Sequence, residues 1–306
     1  MSHRSLADER WYSTPALLRL IRTYPAGVTD AMLRQTIAWL SKRIDKITDQ
    51  SFWPLTVTFV RRGRCGYDVY HPQQLPILNI TLVEEEFSRE MAPYYPYDPI
   101  LGQNSGWSTL PNAFWEVGGR SVYLSDRFFG QGFLNLKVSG VFGWVENSRG
   151  LVTTTTTVDV KTNDTTITVA DASTFFARDV IDLAGPTGST PLRAIIESVN
   201  YTTNKFTVDV VSDPITVPLG STVSTWGQVP SEIERVLAVW SYNILLAQLG
   251  LSSPIPVGRL KKESTDSYFY ELYGPSENAY TGDVTGDPLM DSILDSFTAP
   301  ANAGIV

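Results

Sequence analysis

Side chains that could carry out catalysis are scarce in this sequence of 306 residues. The only imidazoles are those of His3 and His71, and the only thiol is that of Cys65. His3 lies at a terminus and His71 precedes Pro72 in a turn sequence, so a Ser-His-Asp or Cys-His site is nearly excluded. Cysteine and histidine spacings typical of zinc sites are absent. The sequence therefore predicts no catalytic residues, no cofactor and no metal.

Two acidic motifs are further candidates for functional sites. Glu84–Glu86 offers the carboxylates that glycoside hydrolysis needs. Adjacent residues at a strand end point to opposite faces, so we interpret this run as solvated charge. Asp283 and Asp287 flank Gly286 but lack the alternating ligand spacing of a calcium loop. The sequence thus favours neither a glycosidase nor a calcium site.

The charge of the chain is concentrated at its C-terminal end. Residues 263–306 contain eight of the 32 acids and no lysine or arginine, whereas the other 24 acids balance the 24 basic residues. General nucleic-acid binding is disfavoured, because no basic excess would neutralise phosphates. The acidic end is either a solvated tail or a segment that docks on a basic partner. With one cysteine and no long apolar run, we expect a chain that folds in a reducing compartment and has no membrane segment.

Helical patterns occur near both ends of the chain. Thr14 and Pro15 are typical of a helix start, and a second helix with one apolar stripe is predicted over residues 30–47. A third helix is predicted from Ser231, with a capping box formed by Ser231 and Glu234. We expect these helices to form a frame.

Short strands are predicted between these helical regions. Alternation on either side of Arg61–Arg64 indicates a hairpin, and further strands are predicted up to residue 138. Between them, a proline-rich stretch is predicted to be a long exposed loop. Its three tyrosines, Tyr94, Tyr95 and Tyr97, are candidates for an interface loop or for stacking on sugars or bases.

Residues 150–226 have their own Thr- and Val-rich alternation and regularly spaced turns, which predict an inserted β module. The expected fold class is α+β: a helical-bundle frame with a small antiparallel β-sheet, plus an inserted all-β barrel or sandwich. The expected domains are a core of residues 1–149 and 227–273, the module of residues 150–226, and an extended C-terminal arm of residues 274–306.

The C-terminal arm contains a short amphipathic helix. Asp287 is predicted to be its N-cap and Pro288 its first residue. Five apolar residues share one face, with Asp291, Ser292, Asp295 and Ser296 opposite. The five are Leu289, Met290, Ile293, Leu294 and Phe297. A helix of about ten residues does not persist alone in water, so it must dock on its own chain or on another.

Four segments of the sequence, taken in their order along the chain, resemble head–tail adaptor proteins of tailed phages, also called connector or head-completion proteins. The similar phrases are Arg43–Phe52, Val138–Trp144, Val229–Ile233 and Lys262–Tyr270. The resemblance covers about residues 14–145 and 226–273. The last phrase lacks the family's glycine, and the β module and the long tail are departures from the family's pattern.

The resemblance implies a non-enzymatic structural protein of the virion, assembled in the host cytoplasm and located at the head–tail junction. Such proteins form a ring, typically twelve-fold, that binds the portal, extends the DNA channel and presents a surface to the next neck or tail-completion protein. By analogy the C-terminal arm binds the portal, and its five apolar residues are the expected anchor. Double-stranded DNA would pass through without specific binding, since an acidic wall would not retain it. The alternative is a carbohydrate- or receptor-binding β protein of a phage tail or cell surface.

Overall fold

The computed structural model describes most of the chain between residues 11 and 298. The described residues are 11–63, 69–70, 76–86, 107–110, 115–118, 121–124, 132–185, 192–209, 216–251, 285 and 287–298. The chain divides into two compact units. One comprises Met1–Trp53 with Val145–Val306, and the other comprises Pro54–Trp144. Each unit has its own buried apolar cluster.

The first unit contains the helices. They are α1 Pro15–Ile21, α2 Asp30–Thr48, α3 Ser231–Gln248 and α4 Pro288–Phe297. The predicted start of α1 is confirmed, because the Thr14 hydroxyl accepts a hydrogen bond from the Leu17 N–H at 3.3 Å. The predicted apolar stripe of α2 is buried, and α1, α2 and α3 pack against one another. Gly250 follows α3 with a φ of +68°, a left-handed conformation that suits glycine and ends the helix.

The predicted capping box at the start of α3 is wrong. No side chain within the helix caps it; instead the Glu146 carboxylate accepts a hydrogen bond from the Ser231 N–H at 2.7 Å. The Glu234 carboxylate faces Arg178, with Oε2 and Nη2 2.6 Å apart. The Ser231 N–H, whose hydrogen bond the Glu234 carboxylate was expected to accept, is therefore satisfied by a residue 85 positions away in sequence.

Most of the described residues of the second unit are in strands. They are β1 Leu55–Gly63, β2 Val69–Tyr70, β3 Ile77–Glu86, β4 Trp107–Thr109, β5 Trp115–Gly118, β6 Ser121–Leu124 and β7 Gly132–Phe142. The strands form a four-stranded antiparallel sheet, ordered β1-β7-β3-β4, and a three-stranded one, ordered β2-β6-β5. Among the described residues β1 pairs with β7 and β2 pairs with β6, and residues 64–68 of the predicted hairpin lie outside the described residues. At the centre, Gly140 of β7 allows close approach to β3: an added Cβ would lie 2.3 Å from the Asn79 carbonyl oxygen.

The first unit also contains a six-stranded antiparallel sheet curled as a half-barrel. Its strands are β8 Val152–Thr155, β9 Thr166–Thr168, β10 Asp179–Leu183, β11 Leu192–Asn200, β12 Lys205–Val208 and β13 Thr222–Gln228. Their order is β8-β13-β10-β11-β12-β9. The outer strands meet just beyond their ends, where Thr156 and Val169 form an isolated bridge. Thirteen buried residues, among them Phe175 and Phe206, fill the interior of the half-barrel.

The chain enters and leaves the half-barrel at one point. Glu146 and Gln228 are bridged by two backbone hydrogen bonds of 2.8 and 2.9 Å. Strand β13 ends at Gln228 and α3 begins at Ser231, so only two residues separate the sheet from the helix. The half-barrel is also tied to α2, because the Arg34 guanidinium donates two hydrogen bonds, of 2.8 and 2.6 Å, to the Asp209 carboxylate.

The expected α+β class with a helical-bundle frame is wrong. The described residues are mostly β, with antiparallel sheets of six, four and three strands and only four short helices. Helical periodicity identified the helices themselves, but their lengths, seven to 19 residues, leave them a minority beside thirteen strands. The physical reason is that the apolar faces of the sheets form their own cores.

Candidate partner-binding site

The C-terminal helix α4 packs against α2 and α3. The predicted N-cap is confirmed: the Asp287 carboxylate accepts a hydrogen bond from the Leu289 N–H at 2.9 Å, and Pro288 is the first helical residue. A helix of ten residues gains little stability from its own hydrogen bonds. Its position therefore depends on the side chains that it buries against α2 and α3.

The five predicted anchor residues do not share one environment. Met290, Leu294 and Phe297 are buried, with 2%, 1% and 8% of their surface exposed. Ile293 is half-buried, and Leu289 is 54% exposed. The structure thus places three of the five against the chain's own helices and leaves Leu289 accessible to another molecule.

Phe297 is the last of three aromatic rings that contact one another in a row. The sequence did not predict this row. The Phe297 ring meets Phe52 edge to face at 5.1 Å, and Phe52 meets Tyr12 in the same way at 5.5 Å. The Tyr12 hydroxyl donates to the Asp45 carboxylate and accepts a hydrogen bond from the Phe52 N–H at 3.2 Å. Edge-to-face pairs favour a fixed orientation of each ring. These contacts join the segment before α1, the end of α2 and the end of α4 into one seat, which we call the α4 seat.

The predicted polar face of α4 is wrong at one position. Asp291 is only 3% exposed, and its carboxylate accepts a hydrogen bond from the Thr285 N–H at 2.8 Å. The Thr285 hydroxyl in turn donates to the Asp287 carbonyl oxygen at 3.1 Å. The Asp291 carboxylate therefore fixes the turn that leads into α4. Its partner Thr285 lies six residues earlier in the sequence.

A second surface lies where α2 meets α3. The indole rings of Trp39 and Trp240 are 6.5 Å apart, and the Arg43 guanidinium lies over both, 5.4 and 5.3 Å from the ring centres. Trp39 is 49% exposed, whereas Trp240 is buried. The spacing of Trp39 and Arg43, four residues apart on one helix, was the sequence signal for this pair. We call these three side chains the indole–arginine surface.

Buried charges lie between the half-barrel and α3. Burial raises the pKa of Glu234 to about 7; the Arg178 guanidinium opposes this rise, and Glu146 adds to it. Asp179 is fully buried and meets the Arg149 guanidinium at 2.6 Å, yet burial also raises the pKa of its carboxyl. The ion pair of Glu234 with Arg178 joins α3 to the half-barrel.

The other predicted residues have simpler outcomes. Tyr94, Tyr95 and Tyr97 lie outside the described residues. Glu84 forms an ion pair with Lys137 at 2.5 Å on the neighbouring strand. Within the part of the chain that the structure describes, no cluster of His, Cys, Asp and Glu could hold a metal ion. Among those residues, too, no helix has the length and apolar character needed to cross a bilayer.

Comparison of the sequence with protein-family models and with curated proteins finds no match. The functional argument therefore rests on the residues and on the surfaces described above. Of these, the indole–arginine surface combines an exposed apolar side chain with a defined local geometry, and the buried α4 seat holds the helix that carries the exposed Leu289.

Proposed function

We propose that this chain is a structural virion protein that forms a ring between the portal and the neck or tail of a tailed phage, where it extends the DNA channel. Its partners are the portal protein, a neck or tail-completion protein and further copies of itself, twelve in the expected ring. Double-stranded DNA passes through without specific binding. The protein assembles in the host cytoplasm and resides at the head–tail junction.

The observation that carries the proposal is the docking of α4 on helices that contain the adaptor-like phrases. Arg43–Phe52 ends α2 and contributes Phe52 to the α4 seat, and Val229–Ile233 begins α3. Because α2 and α3 pack on each other and both contact α4, these two of the four resembling segments belong to the same core as the helix of the arm. An adaptor needs this combination of a fixed core with a short helical arm on it.

The arm is proposed to bind the portal through its apolar residues. Leu289 can make such a contact in the conformation described. Met290, Leu294 and Phe297 are covered by α2 and α3, so their contact with the portal requires α4 to leave its seat.

The test combines the full chain with the portal protein of the same genome. Native mass spectrometry and negative-stain images should show a portal complex that carries a ring of this chain. Deletion of residues 288–306 should abolish the complex, whereas Lys205→Glu, an exposed change on the half-barrel, should leave it intact. If the full chain does not associate with the portal, the adaptor proposal is wrong.

One observation favours the alternative function, binding of a carbohydrate or receptor. Tyr201 and Phe176 of the half-barrel are 53% and 43% exposed, and the Tyr201 hydroxyl donates to the Phe175 carbonyl oxygen at 3.1 Å. Exposed aromatic rings held in place are suited to stacking on sugars. Titration of the chain with host-surface glycans should then give saturable binding that Tyr201→Ala abolishes. Binding that is unchanged in this variant would exclude these rings as the site.

A further inference from the structure

The Arg43 guanidinium has an environment that differs from that of five other arginines described in the first unit, although Arg22 likewise lies over an aromatic ring, that of Tyr242, at 3.9 Å. Arg19, Arg34, Arg149, Arg178 and Arg193 each lie within 2.8 Å of a carboxylate. Arg43 instead lies between two indole rings. Among the described residues no carboxylate pairs with it, and its Nε is buried without a hydrogen-bond partner. Burial alone lowers the pKa of Arg43, since no neighbouring acid raises it.

The indole faces stabilise this cation only in part. A cation–π contact contributes about 0.5–1 kcal/mol at an exposed site, and it does not satisfy the N–H donors of a guanidinium. The planar group can still donate two parallel hydrogen bonds to a carboxylate. Beside the guanidinium, about half of the Trp39 side chain is exposed to solvent. The indole–arginine surface therefore offers a charged donor and an apolar contact to the same incoming group.

The same two residue types dominate protein–protein interfaces. Tryptophan and arginine are enriched among the side chains that contribute most to binding, and such side chains lie near the centre of the contact. A ligand for this surface must bring a carboxylate and cover an indole. Another copy of this chain can supply the acid, because residues 263–306 hold eight acidic residues and no basic residue, and one of them, Asp295, is exposed on α4. A negatively charged polymer such as DNA is a poorer match, because the chain as a whole has a net charge of −8.

We propose that the indole–arginine surface is a subunit contact, in which Arg43 of one copy binds a carboxylate of a second copy while Trp39 is covered. This inference rests on the proposed ring. In a ring each subunit uses two different patches, one on each side. The ring closes when the rotation between neighbouring subunits has the right angle. The indole–arginine surface is one of these patches, and an acidic patch of the neighbouring copy is the other.

The occupant of this surface can be identified directly by photo-crosslinking. The photoreactive residue p-benzoylphenylalanine is placed at Trp39, and the full chain is irradiated in the presence of the portal and of DNA. Peptide mass spectrometry should find position 39 joined to a second copy of this chain. A crosslink to the portal or to DNA, or no crosslink in a complex that has formed, would overturn the proposal.

Two variants measure the contribution of the charged contact. Arg43→Glu reverses the charge, and Trp39→Ala removes the apolar cover but leaves the charge. A central interface residue changes affinity by about 30-fold or more when it is lost, so each variant should raise the concentration needed for the ring by that factor. Lys205→Glu is the matched control, because it makes the same change of charge at an exposed position of the half-barrel and should shift assembly less than about three-fold.

Folding is checked by comparing the melting temperature of each variant with that of the unchanged chain. Should Arg43→Glu fail to fold, Trp39→Ala decides, because its side chain is half exposed. Normal rings from folded variants would overturn the subunit contact while leaving the adaptor function in place. If the unchanged chain forms no ring with or without the portal, the adaptor proposal and this inference are both wrong. Loss of the ring in the variants but not in the control supports the inference.

Discussion

The docking of α4 can be tested with one core substitution and a control on the same helix. Leu294 is 1% exposed in the contact of α4 with α2 and α3, whereas Leu289, five residues earlier, is 54% exposed. Both residues are leucines within one ten-residue helix. Leu294→Ala and Leu289→Ala therefore have nearly the same effect on helix propensity and differ mainly in buried contacts.

The expected magnitude follows from this difference in burial. Removing a buried leucine side chain costs about 2–5 kcal/mol, which corresponds to a factor between about 30 and several thousand in the docking equilibrium. A change at an exposed position costs less than about 0.5 kcal/mol, or roughly two-fold. Because α4 has little stability of its own, we expect Leu294→Ala to release α4 without unfolding the rest of the unit.

Hydrogen exchange measured by mass spectrometry reports this release. Amides of α4 should exchange at least about 30-fold faster in Leu294→Ala, while those of α2 and α3 keep their protection. In Leu289→Ala all three helices should exchange as in the unchanged chain. Equal effects of the two substitutions would refute the docking described here. Loss of protection throughout α2 and α3 would show instead that α4 is an inseparable part of the core.

Three further predictions concern other parts of the molecule. Because burial raises the pKa of Glu234 above its ordinary value of 4.5 to about 7, its contribution to stability is present below pH 4.5 and is lost as the pH rises through 7. Glu234→Gln should remove up to about 3 kcal/mol of this decline in chemical denaturation between pH 5 and 8; an identical decline would contradict it. Gly140→Ala should destabilise the four-stranded sheet by about 1–3 kcal/mol or more, since the new methyl group meets the Asn79 carbonyl oxygen; an unchanged denaturation midpoint would exclude the clash. A double-mutant cycle on Arg34 and Asp209 should give a coupling of about 1 kcal/mol that weakens in salt, because the pair is partly exposed, and a coupling near zero would show that it does not fix the half-barrel to α2.

Local signals in the sequence predicted the helices well. Thr14 and Asp287 cap α1 and α4 as expected, and four of the six strands of the half-barrel, β9 to β12, lie where the alternation of the sequence predicts them. Such signals succeed because the interacting groups are only a few residues apart. The start of α3 shows where they fail: Ser231 and Glu234 have the right spacing for a capping box, but Glu146 and Arg178 bind these residues instead.

The candidate sites were predicted only in part, for the same reason. Amphipathicity identified the apolar face of α4, but only the tertiary structure shows that Leu289 is exposed while Leu294 is buried. Phe52 follows α2 in sequence without any periodicity that would link it to Phe297, 245 residues later. The stacking of Arg43 on Trp240 likewise joins two helices that are remote in sequence. The pairing of β1 with β7 likewise joins segments that are remote in sequence.

Because the backbones of Glu146 and Gln228 pair where the chain enters and leaves the half-barrel, the whole sheet could be removed or exchanged at this point. Residues that face each other in an antiparallel bridge lie only about 5 Å apart, so a link of one or two glycines would join them directly. Gain, loss or exchange of a whole sheet at this point would leave the register of α3 unchanged. Removal of the half-barrel takes Arg178 away from Glu234 and Asp209 away from Arg34. A shortened chain should therefore tolerate neutral residues at positions 34 and 234.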